Sequence, residues 1–196
     1  MTMEVQNEVV LEGIVREVPV WSHENHGTAF YRFFLEVGRL SGQSDVLPIL
    51  VTENQCPLVK TGETLRVRGE LRSFNNRSGV GNRLVLTVYA RELLPPEGES
   101  HNTIRLTGVL CKVPTFRRTP LGRSICDMML AVPRRYGRAD YIPLIAWGQL
   151  AVQLRTLSVG DSLSLLGRFQ SRVYQKVLDT TVEERVAYEV SVMELA

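Results

Sequence analysis

Two stretches decide the fold of this chain: residues 102–114, NTIRLTGVLCKVP, and residues 7–19, NEVVLEGIVREVP. They align at a constant offset of 95 residues, and the alignment continues well beyond them. The identical pairs are Asn7/Asn102, Leu11/Leu106, Gly13/Gly108, Val18/Val113, Pro19/Pro114, Gly27/Gly122, Leu35/Leu130, Val37/Val132, Asp45/Asp140 and Pro48/Pro143. A period of this length corresponds to one small domain, so the sequence indicates a duplicated domain.

The boundary between the two copies is marked by a short polar segment that begins with two prolines, Pro95 and Pro96. Proline-rich segments are semi-rigid spacers between domains. We therefore predict a first domain over residues 1–94, a linker over 95–101 and a second domain over 102–196.

Composition places the chain among ordinary globular proteins, with 44% apolar and 22% charged residues. No apolar run approaches the roughly 20 residues that a membrane-spanning helix needs. The three cysteines are odd in number and form no paired motif, which favours free thiols in a reducing compartment. We expect a cytoplasmic protein with no membrane partner.

The net charge of +2 conceals a difference between the halves. Residues 1–101 hold 10 basic and 13 acidic residues, a net charge of −3, whereas residues 102–196 hold 13 and 8, a net charge of +5. Eleven of those thirteen cations are arginine, which can both contact phosphate and stack on bases. The second half is therefore the candidate for a polyanionic partner.

Alternating apolar and polar residues predict five strands in each half, which indicates a small barrel or sandwich. In the second half Leu150, Leu154 and Leu157 have helical spacing and are followed by Gly160, whereas Pro57 in the first half predicts only a turn. Three strands, a helix and two strands is the order of the OB-fold. The predicted fold class is all-β, two tandem five-stranded OB-fold barrels, the second with a short helix between strands 3 and 4.

Nothing in the sequence indicates catalysis, a metal or a cofactor. His23 and His26 have no third ligand nearby, so we interpret them as residues of a solvated inter-strand loop. The glycine-rich stretch 79–82 is predicted to be a hairpin tip, because no Lys-Ser/Thr and helix follow it. No nucleophile–base arrangement is visible, and we predict that the chain is not an enzyme.

The second half resembles the bacterial single-stranded DNA-binding protein family. The resemblance extends over nearly all of residues 102–195, and the first half joins it as a divergent copy. The segments that carry it are 102–108 (NTIRLTG), 114–122 (PTFRRTPLG), 130–132, 140–142, Trp147-Gly148, Gly160-Asp161, Gly167-Arg168, 170–172, Tyr174 and 188–190.

The resemblance implies a site at which bases stack on aromatic rings and arginines neutralise the backbone. The aromatic candidates are Trp147, Tyr141, Tyr136, Tyr174 and Phe116. The cationic candidates are Arg117, Arg118, Arg123, Arg134, Arg135, Arg138, Arg168, Arg172 and Lys176. Weaker first-barrel contacts are expected from Trp21, Phe74, Arg72 and Arg77.

Packing is the competing explanation for the aromatic residues, because small barrels commonly half-bury Tyr and Trp. From the pattern alone, packing and binding explain Tyr141 and Trp147 equally well, since Ile145 shares their face. The resemblance favours binding. In the first copy Val46 stands opposite Tyr141, and the aromatic is likewise missing opposite Trp147, so that copy is expected to bind weakly and to supply contacts between barrels.

The resemblance also implies single-stranded DNA as partner, in DNA replication, recombination or repair, with no cofactor. Family members assemble four barrels, so a homodimer of this chain would reach that number. We expect no acidic tail for recruiting repair or replication enzymes, since the sequence stops after the last strand at Ala196, and this fits a phage, plasmid or accessory protein. Two alternatives stay open: an RNA-binding OB protein, and a protein-interaction scaffold that has lost nucleic-acid binding.

Overall fold

The computed structural model describes residues 4–79 and 81–196. Residues 1–3, in the predicted first domain, and Val80, in the predicted hairpin tip, lie outside the described residues. The chain forms two compact units. One comprises residues 8–72 and 87–103, and the other comprises the segment ending at Asn7, residues 73–86 and residues 104–196. The units therefore differ from the two sequence copies, because two short segments of the first copy are grouped with the second.

The first copy forms a six-stranded barrel. Its strands are β1 (Asn7–Val15), β2 (Val20–Asn25), β3 (Thr28–Gly38), β4 (Ser44–Thr52), β5 (Thr64–Asn75) and β6 (Leu84–Leu94). They are hydrogen-bonded in the order β2-β3-β4-β6-β5-β1, and β1 also pairs with β3, which closes the barrel. Closure leaves few free strand edges.

The second copy repeats this topology. Its elements are β7 (His101–Leu110), β8 (Thr115–Arg118), β9 (Ser124–Pro133), β10 (Ala139–Trp147), α1 (Gln149–Leu154), β11 (Ser162–Val177) and β12 (Val182–Leu195). The strand order is β8-β9-β10-β12-β11-β7, and β7 pairs with β9. The register is also conserved, because Phe33 opposite Ile49 in the first barrel becomes Met128 opposite Leu144 in the second.

Close backbone approach at the barrel seam explains one aligned glycine pair. A Cβ added at Gly13 would collide with the carbonyl oxygen of Glu36, and one added at Gly108 would collide with that of Ala131. Glycine is the residue that permits such an approach. The cores lie inside the barrels, where large apolar side chains such as Phe33 and Phe169 are fully buried.

Three details differ from the sequence-based expectation. Each barrel has a sixth short strand, β2 or β8, before its long third strand, so His23 lies in a strand rather than in a loop. Residues Glu53–Leu58 form a 3-10 helix that accommodates Pro57, where only a turn was expected. Helix α1 ends at Leu154, one turn earlier than the spacing of leucines suggested. Among the described residues, no helix is long and apolar enough to cross a membrane.

Candidate nucleic-acid interface

Strand β10 carries two exposed aromatic side chains on one face. Tyr141 is 49% exposed and Trp147 is 41% exposed, whereas Ile145 between them is buried. Successive side chains of a strand point to opposite faces, so the intervening Ile142 and Leu144 fill the core. At Ile145, between the two rings, β10 also pairs with β12 through Ser191. The aromatic rings at the two ends of the strand are left accessible.

Arginine side chains lie against three of the predicted aromatic residues, Trp147, Phe116 and, as described below, Tyr174. The Arg123 guanidinium carbon is 5.5 Å from the centroid of the Trp147 ring, and that of Arg155 is 4.7 Å from the centroid of Phe116. These are cation–π distances. Arg155 was not among the sequence candidates, because it follows α1 and nothing in its spacing relates it to Phe116 in β8.

The remaining cations of the β8 edge are also exposed. Arg117 donates through Nε to Oδ2 of Asp127 at 2.9 Å, and about half of its side chain remains exposed. Arg118, the last residue of β8, is exposed as well. An exposed ion pair of this kind contributes little to stability, so Arg117 is available to exchange its carboxylate for another anion.

The β9–β10 connection presents Tyr136 to solvent, flanked by Arg135 and Arg138, which are also exposed. Tyr136 is 96% exposed and has a φ of 65°, in the left-handed region that glycine usually occupies. Packing therefore does not account for this ring. Arg134 differs from its neighbours, because its Nε lies 3.4 Å from Oδ2 of the fully buried Asp140.

The β11–β12 hairpin contributes the other predicted residues. Tyr174 is half-buried, and the Arg172 guanidinium carbon lies 5.7 Å from its ring centroid. Arg172 also donates to the buried carboxylate of Glu189 at 3.4 Å, and Lys176 is exposed. Arg168 is half-buried and donates to Oε1 of Gln170 at 3.1 Å.

The sequence candidates of the first copy have different surroundings. Trp21, in β2, is 63% exposed. Arg72 forms an ion pair with Glu70. Phe74 is 46% exposed and Arg77 is exposed, and both belong to the compact unit that contains the second barrel.

Polar contacts within that unit join residues 73–86 to the candidate site, which sequence reasoning did not anticipate. The Ser73 backbone N–H donates to Asp140 Oδ1 at 2.9 Å, and its hydroxyl accepts the N–H of Tyr141 at 2.7 Å. The Tyr174 hydroxyl donates to Asn82 Oδ1 at 2.6 Å. No repeat or periodicity in the sequence could have revealed contacts between such unrelated positions.

The first barrel contains a buried carboxylate, Glu12, that fastens the segment predicted as the linker. Its oxygens accept the backbone N–H groups of Glu97 at 2.7 Å and Gly98 at 3.0 Å, and a bond from Arg66 at 3.2 Å. Burial acts to raise the pKa of Glu12, but these hydrogen bonds and the nearby Arg66 charge outweigh it and lower the pKa.

Two of the three cysteines, Cys56 and Cys126, are not activated nucleophiles. Burial raises the pKa of the Cys56 and Cys126 thiols, and Glu53 and Asp127, respectively, act in the same direction. The thiolate is the reactive form of cysteine, so these thiols are unreactive near neutral pH. The chemistry that the site can perform is recognition by rings, cations and hydrogen bonds.

Comparison with known proteins assigns the second copy and the overall fold. Residues 101–195 match the model of the single-strand binding protein family. Single-stranded DNA-binding protein 2 of Streptococcus agalactiae serotype V is 30% identical over 83 residues, which cover 39% of this chain and 63% of that protein. The serotype III protein of the same name gives the same values. The chain thus spans about 63% of the length of these curated relatives.

Two crystal structures extend the similarity to the whole chain. Wild-type single-stranded DNA binding protein from Thermus aquaticus superposes with a TM-score of 0.78 at 23% identity, covering 99% of this chain and 93% of that one. A deletion mutant of the Thermus aquaticus protein gives 0.73, covering 98% and 94%. At this identity the likeness concerns the fold alone. The predicted fold class of two tandem OB-folds is confirmed, and so is the predicted resemblance.

Proposed function

We propose that this chain binds single-stranded DNA, chiefly through its second barrel and largely without sequence preference, because residues 101–195 match the model of the single-strand binding protein family. The observation that carries the proposal is the exposed pair Tyr141 and Trp147 on one face of β10, with Arg123 against the Trp147 ring. Every base has a flat face that can stack on such rings, whereas hydrogen bonds to particular base edges are not required.

Affinity would come from two kinds of contact. Each base stacked on an aromatic side chain contributes about 1–3 kcal/mol, so Trp147, Tyr141 and the fully exposed Tyr136 are the main platforms. Arginines such as Arg118 and Arg138 would neutralise phosphates and release counterions, which makes binding salt-dependent. Neither contact alters the strand, so the protein would protect or present DNA in replication, recombination or repair without catalysis.

The first barrel would bind more weakly. At the positions aligned with Tyr141 and Trp147 it has Val46 and Thr52, which offer no stacking surface. Residues 1–101 also carry a net charge of −3, which disfavours a polyanion. Trp21 remains as an exposed ring in β2.

We further propose a homodimer located with DNA in the bacterial cytosol or nucleoid. Two chains would bring together four barrels, the number that family members assemble. Light scattering in solution should then give twice the chain mass of 22.1 kDa. A mass equal to a single chain at micromolar concentration would exclude the dimer without affecting DNA binding.

A tryptophan fluorescence titration tests the central proposal. In a Trp21→Phe variant all tryptophan emission comes from Trp147, and stacking of oligo-dT should quench it. The association constant should fall steeply between low and moderate salt, with a logarithmic slope of about −0.7 for each phosphate neutralised. Adding Trp147→Phe to this variant gives a protein without tryptophan emission, whose affinity is read by electrophoretic mobility.

Three outcomes separate the candidate functions. Quenching by oligo-dT in preference to a matched oligo-U supports DNA binding. Preference for oligo-U would replace it with RNA binding, because the 2′-hydroxyl is the feature that distinguishes the two polymers. Absence of both quenching and a mobility shift at low salt would overturn the proposal in favour of a protein-interaction scaffold.

A further inference from the structure

The β11–β12 hairpin extends from its barrel as a two-stranded ribbon. Pairing of β11 with β7 runs from Ser162 to Gly167, whereas β11 and β12 remain paired out to Val177 opposite Val182. Within the described strand pairings, the outer part of this ribbon has no third strand. A free two-stranded hairpin is marginally stable in water, so another contact must fix its orientation.

The two faces of the ribbon differ in chemistry because side chains alternate along each strand. One face presents four exposed valines, Val173, Val177, Val182 and Val186. The other face carries Arg172, Tyr174 and Lys176 on β11, and Arg185 opposite Tyr174 on β12. The residues suited to nucleic acid therefore share one face.

That face is held by the first-copy hairpin, by which we mean residues 73–79 and 81–86. Asn82 accepts from the Tyr174 hydroxyl at 2.6 Å and donates through Nδ2 to the Val186 carbonyl at 2.7 Å. Arg185 donates to the Gly81 carbonyl at 3.2 Å. Asn82 thus bridges both strands of the ribbon with one side chain.

The same hairpin is anchored at the start of β10. Ser73 is buried, donates its N–H to Asp140 and accepts the N–H of Tyr141. One short segment therefore contacts both Tyr141 and Tyr174, the candidate platforms of two different strands. Bonds at both ends fix the spacing of these residues before any ligand arrives, and preorganisation of this kind lowers the cost of binding.

The charge of the first-copy hairpin matches a polyanion. Although the first half is acidic overall, the stretch 73–86 contains two arginines, Arg77 and Arg83, and no acidic residue. Both arginines are exposed, and Phe74 on the same segment is 46% exposed. Residues 73–86, which are grouped with the unit of the second barrel, thus carry the favourable sign of charge.

We propose that the first-copy hairpin is part of the nucleic-acid site of the second barrel, where it holds Tyr174 in place and adds Arg77 and Arg83 to the cationic surface. This inference rests on the proposed function. The contacts involve the hydroxyl of Tyr174 and the main chain of Tyr141, and Tyr141 and Arg172 remain about half exposed. The hairpin therefore supports the site and does not cover it.

A double-mutant cycle in the full chain tests the bracing role. Asn82→Ala and Tyr174→Phe each remove the same hydrogen bond, and the second keeps the aromatic ring. Each should weaken oligo-dT binding about 2- to 12-fold, the range expected for one hydrogen bond, and the double variant should be no weaker than the more affected single one. Asn54→Ala, at an exposed position, is the matched control and should leave affinity unchanged.

Two further measurements test separately whether the hairpin holds the β11–β12 ribbon in place and whether its arginines contact phosphates. Neither effect is expected from a general loss of stability. Amide hydrogen exchange over residues 172–186 should become faster in Asn82→Ala while the exchange of β9 is unchanged. Arg77→Gln with Arg83→Gln should reduce the magnitude of the salt slope by about 1.4, at 0.7 per lost phosphate contact. Arg16→Gln with Arg68→Gln changes the net charge equally outside the hairpin and should leave the slope as it is.

The outcomes separate this inference from the function on which it rests. If the unmodified chain fails to bind oligo-dT, the proposed function and the inference both fall. If it binds and Asn82→Ala binds equally well, the inference alone is overturned. A tighter complex with Asn82→Ala would also overturn it, because the hairpin would then obstruct the strand.

Discussion

The two barrels share strand order and register but differ at the outward positions of one strand. In β4, Val46 and Thr52 occupy the places that Tyr141 and Trp147 occupy in β10, while the inward Ile49 and Leu144 remain apolar and buried. The two outward positions at which the copies differ do not fill the barrel core, so the residues there can change at little cost to the fold. The comparison shows that the same strand geometry can present two aromatic rings in one copy and no aromatic ring at the aligned positions in the other.

A second difference concerns a buried aspartate that both copies retain. In the first barrel Arg39 contacts both oxygens of Asp45, through Nε at 2.7 Å and a terminal nitrogen at 2.6 Å. In the second barrel the aligned arginine, Arg134, lies 3.4 Å from Asp140, whose other oxygen accepts the N–H of Ser73. The aligned arginine thus contacts both oxygens of the carboxylate in the first barrel, whereas the contacts of Asp140 include a longer arginine contact and the N–H of Ser73.

The largest predicted effect comes from breaking these ion pairs. Arg39→Met removes a two-pronged partner from a fully buried carboxylate and should lower the free energy of unfolding by about 3 kcal/mol. Arg134→Met should cost less, because its contact with the carboxylate is longer, at 3.4 Å. Urea unfolding reports each barrel separately, through Trp21 emission in Trp147→Phe and through Trp147 emission in Trp21→Phe. Equal losses of unfolding free energy in the two variants would contradict the prediction that the Arg39 contact stabilises its barrel more than the Arg134 contact does.

An exchange of residues between the barrels tests the difference in surface. Trp147→Thr gives the second barrel the residue of the first and should cost about 1–3 kcal/mol of oligo-dT binding, with little change in stability. Thr52→Trp should not compensate, since Val46 still leaves the first barrel without its second platform. Mobility-shift titrations measure the oligo-dT affinity of both variants. The same titration of Trp21→Phe measures the effect of removing the exposed tryptophan of the first barrel. Recovery of affinity by Thr52→Trp in the Trp147→Thr background would show that the barrels are equivalent.

The smallest effect is a pH dependence confined to the first barrel. Its Glu12 has a pKa below the ordinary value of 4.5, whereas the aligned residue of the second barrel, Thr107, does not titrate. The unfolded chain therefore binds this proton more readily, so the stabilisation is present above about pH 4.5 and is lost as the pH falls through the folded pKa.

The measurement compares unfolding of the first barrel at neutral and acidic pH. Trp21 emission in Trp147→Phe should show a smaller acid loss of stability when Glu12→Gln is added. Glu24→Gln, at an exposed position, changes the charge equally and is the control. If the first barrel loses the same stability at acidic pH with and without the Glu12 carboxylate, the pH dependence comes from other carboxylates.

Much of the architecture could be predicted because the duplication constrains it twice. The offset of 95 residues holds through β3 and β4 and through β9 and β10, so an ambiguity in one copy is resolved by the other. Strand alternation also placed Tyr141 and Trp147 on one face. It could not show that Ile145 on that face is buried, because burial depends on tertiary packing and not on alternation along the strand.

The polar contacts between residues of the two copies could not be predicted from the sequence. Ser73 with Asp140, and Asn82 with Tyr174, join positions that are not related by the repeat. Polar contacts between distant positions leave no periodic pattern, unlike apolar contacts in a strand. The cation–π contact of Arg155 with Phe116 escaped prediction for the same reason.

The grouping of residues 73–86 with the second barrel has a consequence for dissecting the molecule. Cutting the gene between its two homologous halves does not liberate two intact modules, because the downstream fragment forfeits a piece that is encoded upstream. That fragment would lack Ser73 and Asn82, whose bonds reach the main chain of Tyr141 and the hydroxyl of Tyr174.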